Sequence, residues 1–293
     1  MKLVSLVLLV LIAFAANSVL GRMAIGWGHM DALGFGLLRL ASGAGALVLL
    51  LWLQVLRSGR LQGGGLLTGG ATTVWEALKG GAALTLYMIG FCLAYKGLDA
   101  GLGALILFGV VQISMFGWGA LRGSRTTTGQ VLGAALAFAG LAFVVWPSGP
   151  VQVPLGASLL MAASGVGWAA YTLLGRGAGD PLRATATNFL VATAMMLPVV
   201  AVLFAQLHVT ATGLALAVLS GAVTSGLGYA LWYRVLPQLQ PAVAATIQLS
   251  VPVLAILGGA LVLAEPVGLR LILGTTAVLG GIALVIWAAP KRA

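Results

Sequence analysis

The chain has 293 residues, of which 61% are hydrophobic and only 7% are charged. A water-soluble domain carries about 25% charged residues, so this composition excludes an ordinary soluble domain. The formal net charge of +10 does not indicate nucleic-acid binding, because the basic residues stand singly or in pairs at the ends of apolar runs, where they set membrane topology.

Apolar runs recur along the whole chain at about 20 residues each, the length that a helix needs to cross a bilayer. A transmembrane barrel would instead alternate apolar and polar residues in stretches of about ten. The sequence therefore predicts an all-α polytopic membrane protein with ten transmembrane helices. The predicted spans are 3–21, 32–56, 75–96, 100–121, 128–147, 153–175, 183–206, 212–235, 240–263 and 268–288.

The first span has two interpretations. A short apolar run after Met1 and Lys2, with small residues behind it, is typical of a cleaved secretory signal peptide. However, Phe14–Arg22 (FAANSVLGR) shares its plan with Trp168–Arg176 (WAAYTLLGR) in the sixth span. This match favours a retained first transmembrane helix over a removable signal.

Basic residues predict the orientation of the chain, because cytoplasmic loops carry an excess of Lys and Arg. If the amino terminus is cytoplasmic, only Arg22, Arg39, Lys96 and Arg270 of the 15 basic residues fall toward the outside. An even number of spans then returns the carboxyl terminus to the cytoplasm. We predict that both termini are cytoplasmic.

The two halves of the chain align with each other. The fifth span, Gly129–Trp146, matches the tenth span, Arg270–Trp287, without gaps. Within the third and eighth spans, Gly90–Leu98 matches Gly228–Leu236. These matches indicate an internal repeat.

The repeat predicts a first unit at 1–147 and a second unit at 148–293. Asp31-Ala-Leu at the start of the second span matches Asp180-Pro-Leu at the start of the seventh, and in that register Arg39 is equivalent to Asn188. Each unit has five spans, an odd number, so the units lie in opposite orientations. Inverted repeats are typical of transporters whose substrate site lies near the membrane midplane, between the repeats.

The second half carries a distinctive order of residues: small residues, Pro252 within a span, the pair Glu265–Pro266, and a glycine-spaced last helix. This order resembles the EamA repeat of the drug/metabolite transporter (DMT) superfamily, and the chain is most similar there to the YddG-type exporters of aromatic amino acids. The first half departs from the pattern, with Val111 in place of the proline and Ser124–Arg125 in place of Glu-Pro. The resemblance implies secondary transport outward across a bacterial inner membrane, by alternating access.

A solute cavity needs polar and aromatic side chains that face the bundle interior, because polar groups facing lipid are costly. Such side chains recur at spacings of three or four residues, which share a helix face. The predicted substrate-binding residues are Asn17, Tyr87, Gln112, Trp168, Tyr171, Tyr229 and Gln248. The rings of these residues could stack on the aromatic side chain of a substrate. Their amides and hydroxyls could bind the ammonium and carboxylate groups of the substrate. They favour a neutral amino acid as the substrate.

These candidates also have structural interpretations. Tyr229 lies near the end of its span and is more typical of an aromatic belt at the membrane interface. Gln112 and Gln248 are equally suited to hydrogen bonds that hold neighbouring helices together.

Three further residues are expected to act in gating or in structure. Arg39 is the only charge well inside a span, about 10 Å from the outer end of that span. In the alternative interpretation, its side chain extends outward to the membrane surface and anchors the helix. Pro252 should kink the ninth span. Glu265 begins the last helix, where it either caps the helix dipole or couples transport to protons.

Glycine is abundant, with 43 residues, and forms small-residue faces on the fifth and tenth spans. Gly129, Gly133 and Ala137 make the first of these faces. Such faces let helices approach closely, so they predict either packing within the chain or a homodimer contact.

No catalytic group is expected, since five acids, two histidines and the single Cys92 are too few to converge on a reaction. One cysteine also excludes an intrachain disulfide and a metal cluster. We therefore predict no enzyme activity, no metal, no cofactor and no nucleic-acid partner. The predicted function is export of neutral amino acids, aromatic ones included. A multidrug or other small-metabolite exporter and a non-transporting structural or receptor-like membrane subunit remain as alternatives.

Overall fold

The computed structural model describes residues 2–58, 74–94, 98, 100–123, 126–146, 154–203, 208–263 and 268–289. These residues are almost entirely helical and contain no strand, only an isolated bridge between Met30 and Val209. The α-helices are α1 (Lys2–Gly21), α2 (Ala32–Ser58), α3 (Val74–Ala94), α4 (Ala100–Leu121), α5 (Thr128–Val145), α6 (Leu155–Gly175), α7 (Pro181–Leu203), α8 (Ala211–Leu219), α9 (Gly228–Val235), α10 (Pro241–Ile247), α11 (Ser250–Leu263) and α12 (Leu269–Trp287). Two π-helical segments, Arg22–Gly26 and Ser220–Leu227, and a 3₁₀ turn, Leu236–Gln238, join some of them.

Several of these helices are long and apolar enough to cross a membrane. Six such segments are Lys2–Gly26, Ala32–Arg57, Val74–Ala94, Leu155–Gly175, Pro181–Val202 and Ala211–Gln238. Shorter apolar helices at Ile106–Leu121, Thr128–Phe143, Pro241–Ala255 and Ile272–Trp287 lie where the remaining four spans are predicted. The chain is therefore a multi-pass helical membrane protein, and the count of ten spans stays a prediction.

Local sequence signals determine where several helices begin. Thr127 caps α5, because its hydroxyl accepts the Gln130 N–H while the Gln130 side chain accepts the Thr127 N–H. Thr210 caps α8 through the N–H of Gly213 at 3.1 Å. Pro241 opens α10, a position where the missing N–H costs nothing.

The predicted ninth span is divided into α10 and α11, with Gln248 and Leu249 in a turn between them. Pro252 lies in the first turn of α11. Proline has no N–H to donate to the carbonyl four residues earlier, and the carbonyl of Gln248 accepts instead from Val251 at 3.0 Å. The interruption that Pro252 predicts thus lies just before it. By contrast, α7 continues through Pro198.

The helices α5 and α12 pack antiparallel through their glycines. A Cβ atom on Gly133 would lie 2.7 Å from the carbonyl oxygen of Gly281, and one on Gly140 would lie 2.9 Å from that of Gly274. These are backbone-to-backbone contacts that a side chain would prevent. The predicted small-residue faces therefore meet each other within the chain.

A second close contact positions the centre of the bundle. Gly167 of α6 lies against the backbone of α3, where an added Cβ would be 2.6 Å from the nitrogen of Tyr87. The Ser164 hydroxyl donates to the carbonyl of Tyr87 at 2.8 Å. Because the two backbones touch here, the adjacent side chains Tyr87 and Trp168 are brought together.

Candidate functional site

Aromatic rings from five helices pack together in the middle of the bundle. We call them the aromatic cluster, and its members are Phe14, Tyr87, Phe91, Trp168, Tyr171, Phe189, Tyr229, Trp232 and Tyr233. They come from α1, α3, α6, α7 and α9. Eight of the nine rings are buried, and Phe91 is half-buried.

Trp168 lies at the centre of the aromatic cluster. Its ring centroid is 4.9 Å from that of Tyr229, 5.1 Å from Tyr87, 5.4 Å from Phe14 and 5.7 Å from Tyr171. Edge-to-face and offset arrangements at such distances stabilise aromatic pairs by about 0.5–1.5 kcal/mol beyond their burial. Trp168 therefore links α6 to α1, α3 and α9.

The indole N–H of Trp168 has a specific partner. It donates to the side-chain oxygen of Gln248 at 2.6 Å, and the Gln248 amide nitrogen donates to the carbonyl of Ala244 at 2.9 Å. Gln248 is completely buried in the turn between α10 and α11. The interrupted span thus presents an amide to the aromatic cluster.

Gln112 of α4 lies beside the same turn. Its amide nitrogen is 3.5 Å from the Thr246 hydroxyl, a long hydrogen bond. Its side-chain oxygen is buried and has no hydrogen-bond partner among the described residues. This acceptor is available to a ligand or a water molecule.

Arg39 points into the bundle and does not extend outward. It is 3% exposed, and its Nε donates to the Ser225 hydroxyl at 2.7 Å while its Nη2 donates to the Tyr229 hydroxyl at 2.8 Å. Both partners lie in the eighth span, across from α2. The guanidinium therefore directly contacts a member of the aromatic cluster.

Asn17 of α1 forms the other side of this polar group. Its side-chain oxygen accepts from the hydroxyls of Ser220 at 2.6 Å, Thr224 at 2.5 Å and Ser225 at 3.2 Å. Its amide nitrogen is buried without a partner among the described residues. Ser225 thus bonds both Asn17 and Arg39.

Asn188, the predicted equivalent of Arg39, has a separate set of partners. Its amide nitrogen donates to the Tyr233 hydroxyl at 3.3 Å, and that hydroxyl donates to the carbonyl of Tyr171 at 2.9 Å. The hydroxyl of Tyr171 is itself buried without a partner in the described part of the chain.

All seven predicted substrate-binding residues are buried. Four of them, Tyr87, Trp168, Tyr171 and Tyr229, belong to the aromatic cluster. Gln248 and Asn17 connect to it through hydrogen bonds, whereas Gln112 lies on its margin. Pro252 is buried in α11, and Glu265 lies outside the described residues.

Several members of the site were not among the predicted residues. Phe189, Ser220 and Thr224 are all buried beside residues that were predicted. Ser220 and Thr224 share a helix face and stand in an apolar span, which is a usable signal for polar contacts between helices. Phe189 has no such signal, because an apolar ring in an apolar span is unexceptional.

Charged groups outside the centre have other roles. Arg183 and Asp180 form an ion pair at 3.5 Å at the start of α7. Within the described ranges, no three His, Cys, Asp or Glu side chains are grouped so that they could hold a metal ion.

A cleft of about 390 Å³ lies beside Asp180, between α2, α7 and α9, and is lined by residues that include Gln54, Leu227 and Arg234.

Comparison with known proteins connects this architecture to a family. Residues 155–287 match the EamA-like transporter family. An uncharacterized protein of Pseudomonas aeruginosa is 48% identical over 281 residues, which cover 96% of this chain and 93% of that protein. A solved crystal structure superimposes over 99% of both chains with a TM-score of 0.80 at 16% identity, and it shares the fold.

Proposed function

We propose that this chain, which belongs to the EamA-like transporter family, exports neutral amino acids, aromatic ones included, and binds them in the aromatic cluster. The match to the EamA-like transporter family at residues 155–287 supports a membrane transporter of the DMT superfamily rather than an enzyme. The amino-acid substrate, and with it the likeness to the YddG-type exporters, is our own inference.

The observation that carries this proposal is the environment of Trp168. Four rings surround it, and Gln248 accepts its N–H within the same buried space. An amino acid with an apolar side chain could replace ring-to-ring contacts with ring-to-substrate contacts of similar energy. Amide and hydroxyl groups at Gln248, Asn17 and Gln112 would then bond its polar head.

The rings of the aromatic cluster touch one another, so a substrate enters only when the helices that carry them move apart. We propose that this happens by alternating access between two inverted repeats, 1–147 and 148–293. The boundary between the repeats lies outside the described residues.

Two sets of contacts support the repeat. Gly133 meets Gly281 and Gly140 meets Gly274, and the sequence alignment makes Gly133 equivalent to Gly274 and Gly140 to Gly281. Such reciprocal pairing is what a two-fold relation between α5 and α12 requires. The aligned glycines at 90 and 228 likewise face α6 and α1, the first helices of the opposite halves.

We place the chain in the bacterial inner membrane with both termini in the cytoplasm. In that orientation the cleft between α2, α7 and α9 opens toward the cytoplasm, from which an exporter takes its substrate. The glycine faces of α5 and α12 are occupied by each other, so a homodimer would have to use other surfaces.

Counterflow in proteoliposomes tests the proposed function. We expect saturable uptake of labelled phenylalanine, methionine or threonine by the wild type. Uptake should be lost in Trp168→Ala and reduced in Trp168→Phe, which keeps a ring but not the N–H. Trp52→Ala is the matched control, because Trp52 is about half exposed on α2, outside the aromatic cluster. Normal uptake in Trp168→Ala would remove the aromatic cluster from the substrate path.

A second candidate is export of apolar drugs or other metabolites, and the excess of rings over polar groups in the cluster favours it. The same vesicles distinguish the two. A well-folded wild type that carries aromatic dyes but no amino acid would support the drug exporter. Transport of neither class would favour a structural or receptor-like subunit.

A further inference from the structure

We propose that Arg39 binds the carboxylate of the transported molecule, so that the site selects solutes with an anionic head group beside an apolar side chain. This inference rests on the proposed function, because it assigns the head group within the same site. It replaces the expectation that amides and hydroxyls alone bind the carboxylate.

The first argument is the charge of Arg39. The guanidinium is buried, and its partners Ser225, Tyr229 and Tyr87 are all neutral hydroxyls. In the part of the chain that the structure describes, no carboxylate lies within ion-pairing distance of it. A buried cation without a counter-charge attracts an anion much more strongly than the same cation in water. A charge inside a membrane span is therefore a functional candidate.

The second argument is independent of the charge. The amide nitrogen of Asn17 is a buried hydrogen-bond donor without an acceptor among the described residues. Its oxygen already accepts from three hydroxyls. Ser225 lies between Asn17 and Arg39 and bonds both, so unsatisfied donor capacity is concentrated at this point. A carboxylate supplies what is missing, because its two oxygens accept about four hydrogen bonds.

The third argument is the distance to the aromatic cluster. Arg39 touches the hydroxyl of Tyr229, and the ring of Tyr229 lies 4.9 Å from Trp168 and 5.3 Å from Phe14. A carboxylate that takes the place of the Tyr229 hydroxyl on Arg39 would direct the rest of the molecule among these rings. The fork of the guanidinium also matches two carboxylate oxygens at once, which a lysine cannot do.

Only the first of the two predicted repeats carries a cation at this position. The predicted equivalent, Asn188, is neutral and bonds Tyr233. The substrate would therefore bind in one orientation, with its carboxylate toward α2.

Binding to the purified full-length protein in nanodiscs tests the inference. Four compounds share a phenyl group and differ in the head: phenylalanine, 3-phenylpropionate, phenylalaninamide and phenethylamine. We expect the two carboxylates to bind at least about tenfold more tightly than the amide and the amine. Arg39→Gln should abolish this preference, and Arg39→Lys should retain part of it.

Arg183→Gln is the matched control, since Arg183 is also buried but is paired with Asp180 at the start of α7. It should keep the preference for carboxylates. The inference is overturned if the wild type binds phenethylamine as tightly as phenylalanine, if no compound binds, or if Arg39→Gln still prefers acids. If Arg39→Gln fails to fold, the inference is tested by the preference of the wild type for carboxylates and by the change of that preference in Arg39→Lys.

The two proposals fail in different ways. Preference for 3-phenylpropionate without counterflow of any amino acid leaves the carboxylate site standing and removes the amino-acid exporter. Counterflow of amino acids without any preference for compounds with a carboxylate keeps the amino-acid exporter and removes the carboxylate site.

Discussion

Trp168 is held by a hydrogen bond as well as by its rings. Gln248 accepts the indole N–H and is itself fixed by the carbonyl of Ala244. The bond determines how far the indole turns about its side-chain torsions, and thus which ring edges it presents to Tyr229 and Phe14. When the helices move apart, the substrate of the proposed function therefore meets an indole whose own orientation is already fixed, which lowers the entropic cost at this one side chain.

Substitution of Gln248 tests this arrangement. Gln248→Met keeps the length of the side chain but leaves the buried indole N–H without an acceptor, at a cost of about 1–3 kcal/mol. We expect KM for counterflow to rise about tenfold, with folded protein still obtained. Gln238→Met is the control, because Gln238 is exposed at the end of the eighth span. Unchanged KM in Gln248→Met would show that the indole orientation does not matter.

The sequence identifies some of the polar and aromatic residues of the centre but not their partners. Asn17 is predicted to face the bundle interior and is buried, and Arg39 and Tyr229, for which the sequence left a position at the membrane edge open, are buried as well. Helical spacing cannot predict that Arg39 bonds residues 186 and 190 positions away. Those pairings depend on how helices rotate and slide against each other, which spacing within one helix does not contain.

Among the elements, the α5–α12 pair shows how glycine determines packing. The position of Gly281 is enclosed, because an added Cβ would lie 2.5 Å from the carbonyl oxygen of Gly133 and from the nitrogen of Ala137. Gly280, the preceding residue, has nothing within 4 Å of the same atom. Of two adjacent glycines in one helix, Gly281 thus has no room for a side chain, whereas Gly280 has open space beside it.

This difference gives a matched pair of variants. Gly281→Ala should force α5 and α12 apart and destabilise the protein by about 1–3 kcal/mol, as overpacking does. Gly280→Ala should leave stability unchanged or slightly higher, since alanine favours the helix. Thermal unfolding of the purified protein in detergent, monitored by light scattering, checks both. Equal melting temperatures would contradict the close packing.

Two irregular elements show the limits of prediction from sequence. Pro252 lies beside an interruption of the ninth span, whereas α7 continues through Pro198, so a proline by itself does not determine where a span is interrupted. The π-helical segment Ser220–Leu227 has no comparable residue signature. It places Ser220, Thr224 and Ser225 around Asn17, and this contact is tertiary.

At the scale of the whole molecule, two connections between helices meet at the predicted outer end of the bundle. Met30 and Val209 form a bridge, in which the Thr210 N–H donates to the His29 carbonyl at 2.9 Å and the Asp31 N–H donates to that of His208 at 3.2 Å. This contact joins the α1–α2 connection to the α7–α8 connection. The cleft beside Asp180 lies toward the opposite end.

A cross-link across this bridge tests whether the outer end must open. The hydrogen-bonding pattern makes Met30 and Val209 a non-hydrogen-bonded pair, with Cα atoms about 4.5 Å apart, within reach of a disulfide. Met30→Cys with Val209→Cys, in a Cys92→Ser background, should form it on oxidation. We expect counterflow to stop when the bond forms and to return on reduction.

Each single-cysteine variant is a control and should transport under both conditions. Full transport by the cross-linked protein would mean that the substrate leaves without separation of these loops. That result would argue against alternating access at this end.

The multi-pass helical architecture follows from composition together with the length of the apolar runs, because so few charged residues cannot cover a water-exposed surface and runs of about 20 residues fit transmembrane helices. The family likewise agrees with the resemblance carried by Pro252 and the glycine-spaced last helix. The interior could not be derived in the same way, since most of the chain is apolar and offers the same residues to lipid and to core. Only polar and small residues distinguish the two environments.

The reciprocal glycines of α5 and α12 also limit which substitutions the chain can accept during evolution. Gly133 and Gly140 each lie against a backbone carbonyl of the opposite helix, and a carbonyl cannot become smaller. A larger side chain on one helix therefore has no compensating substitution on the other. Related chains should keep these positions small one by one, rather than exchange large for small in pairs as side-chain contacts do.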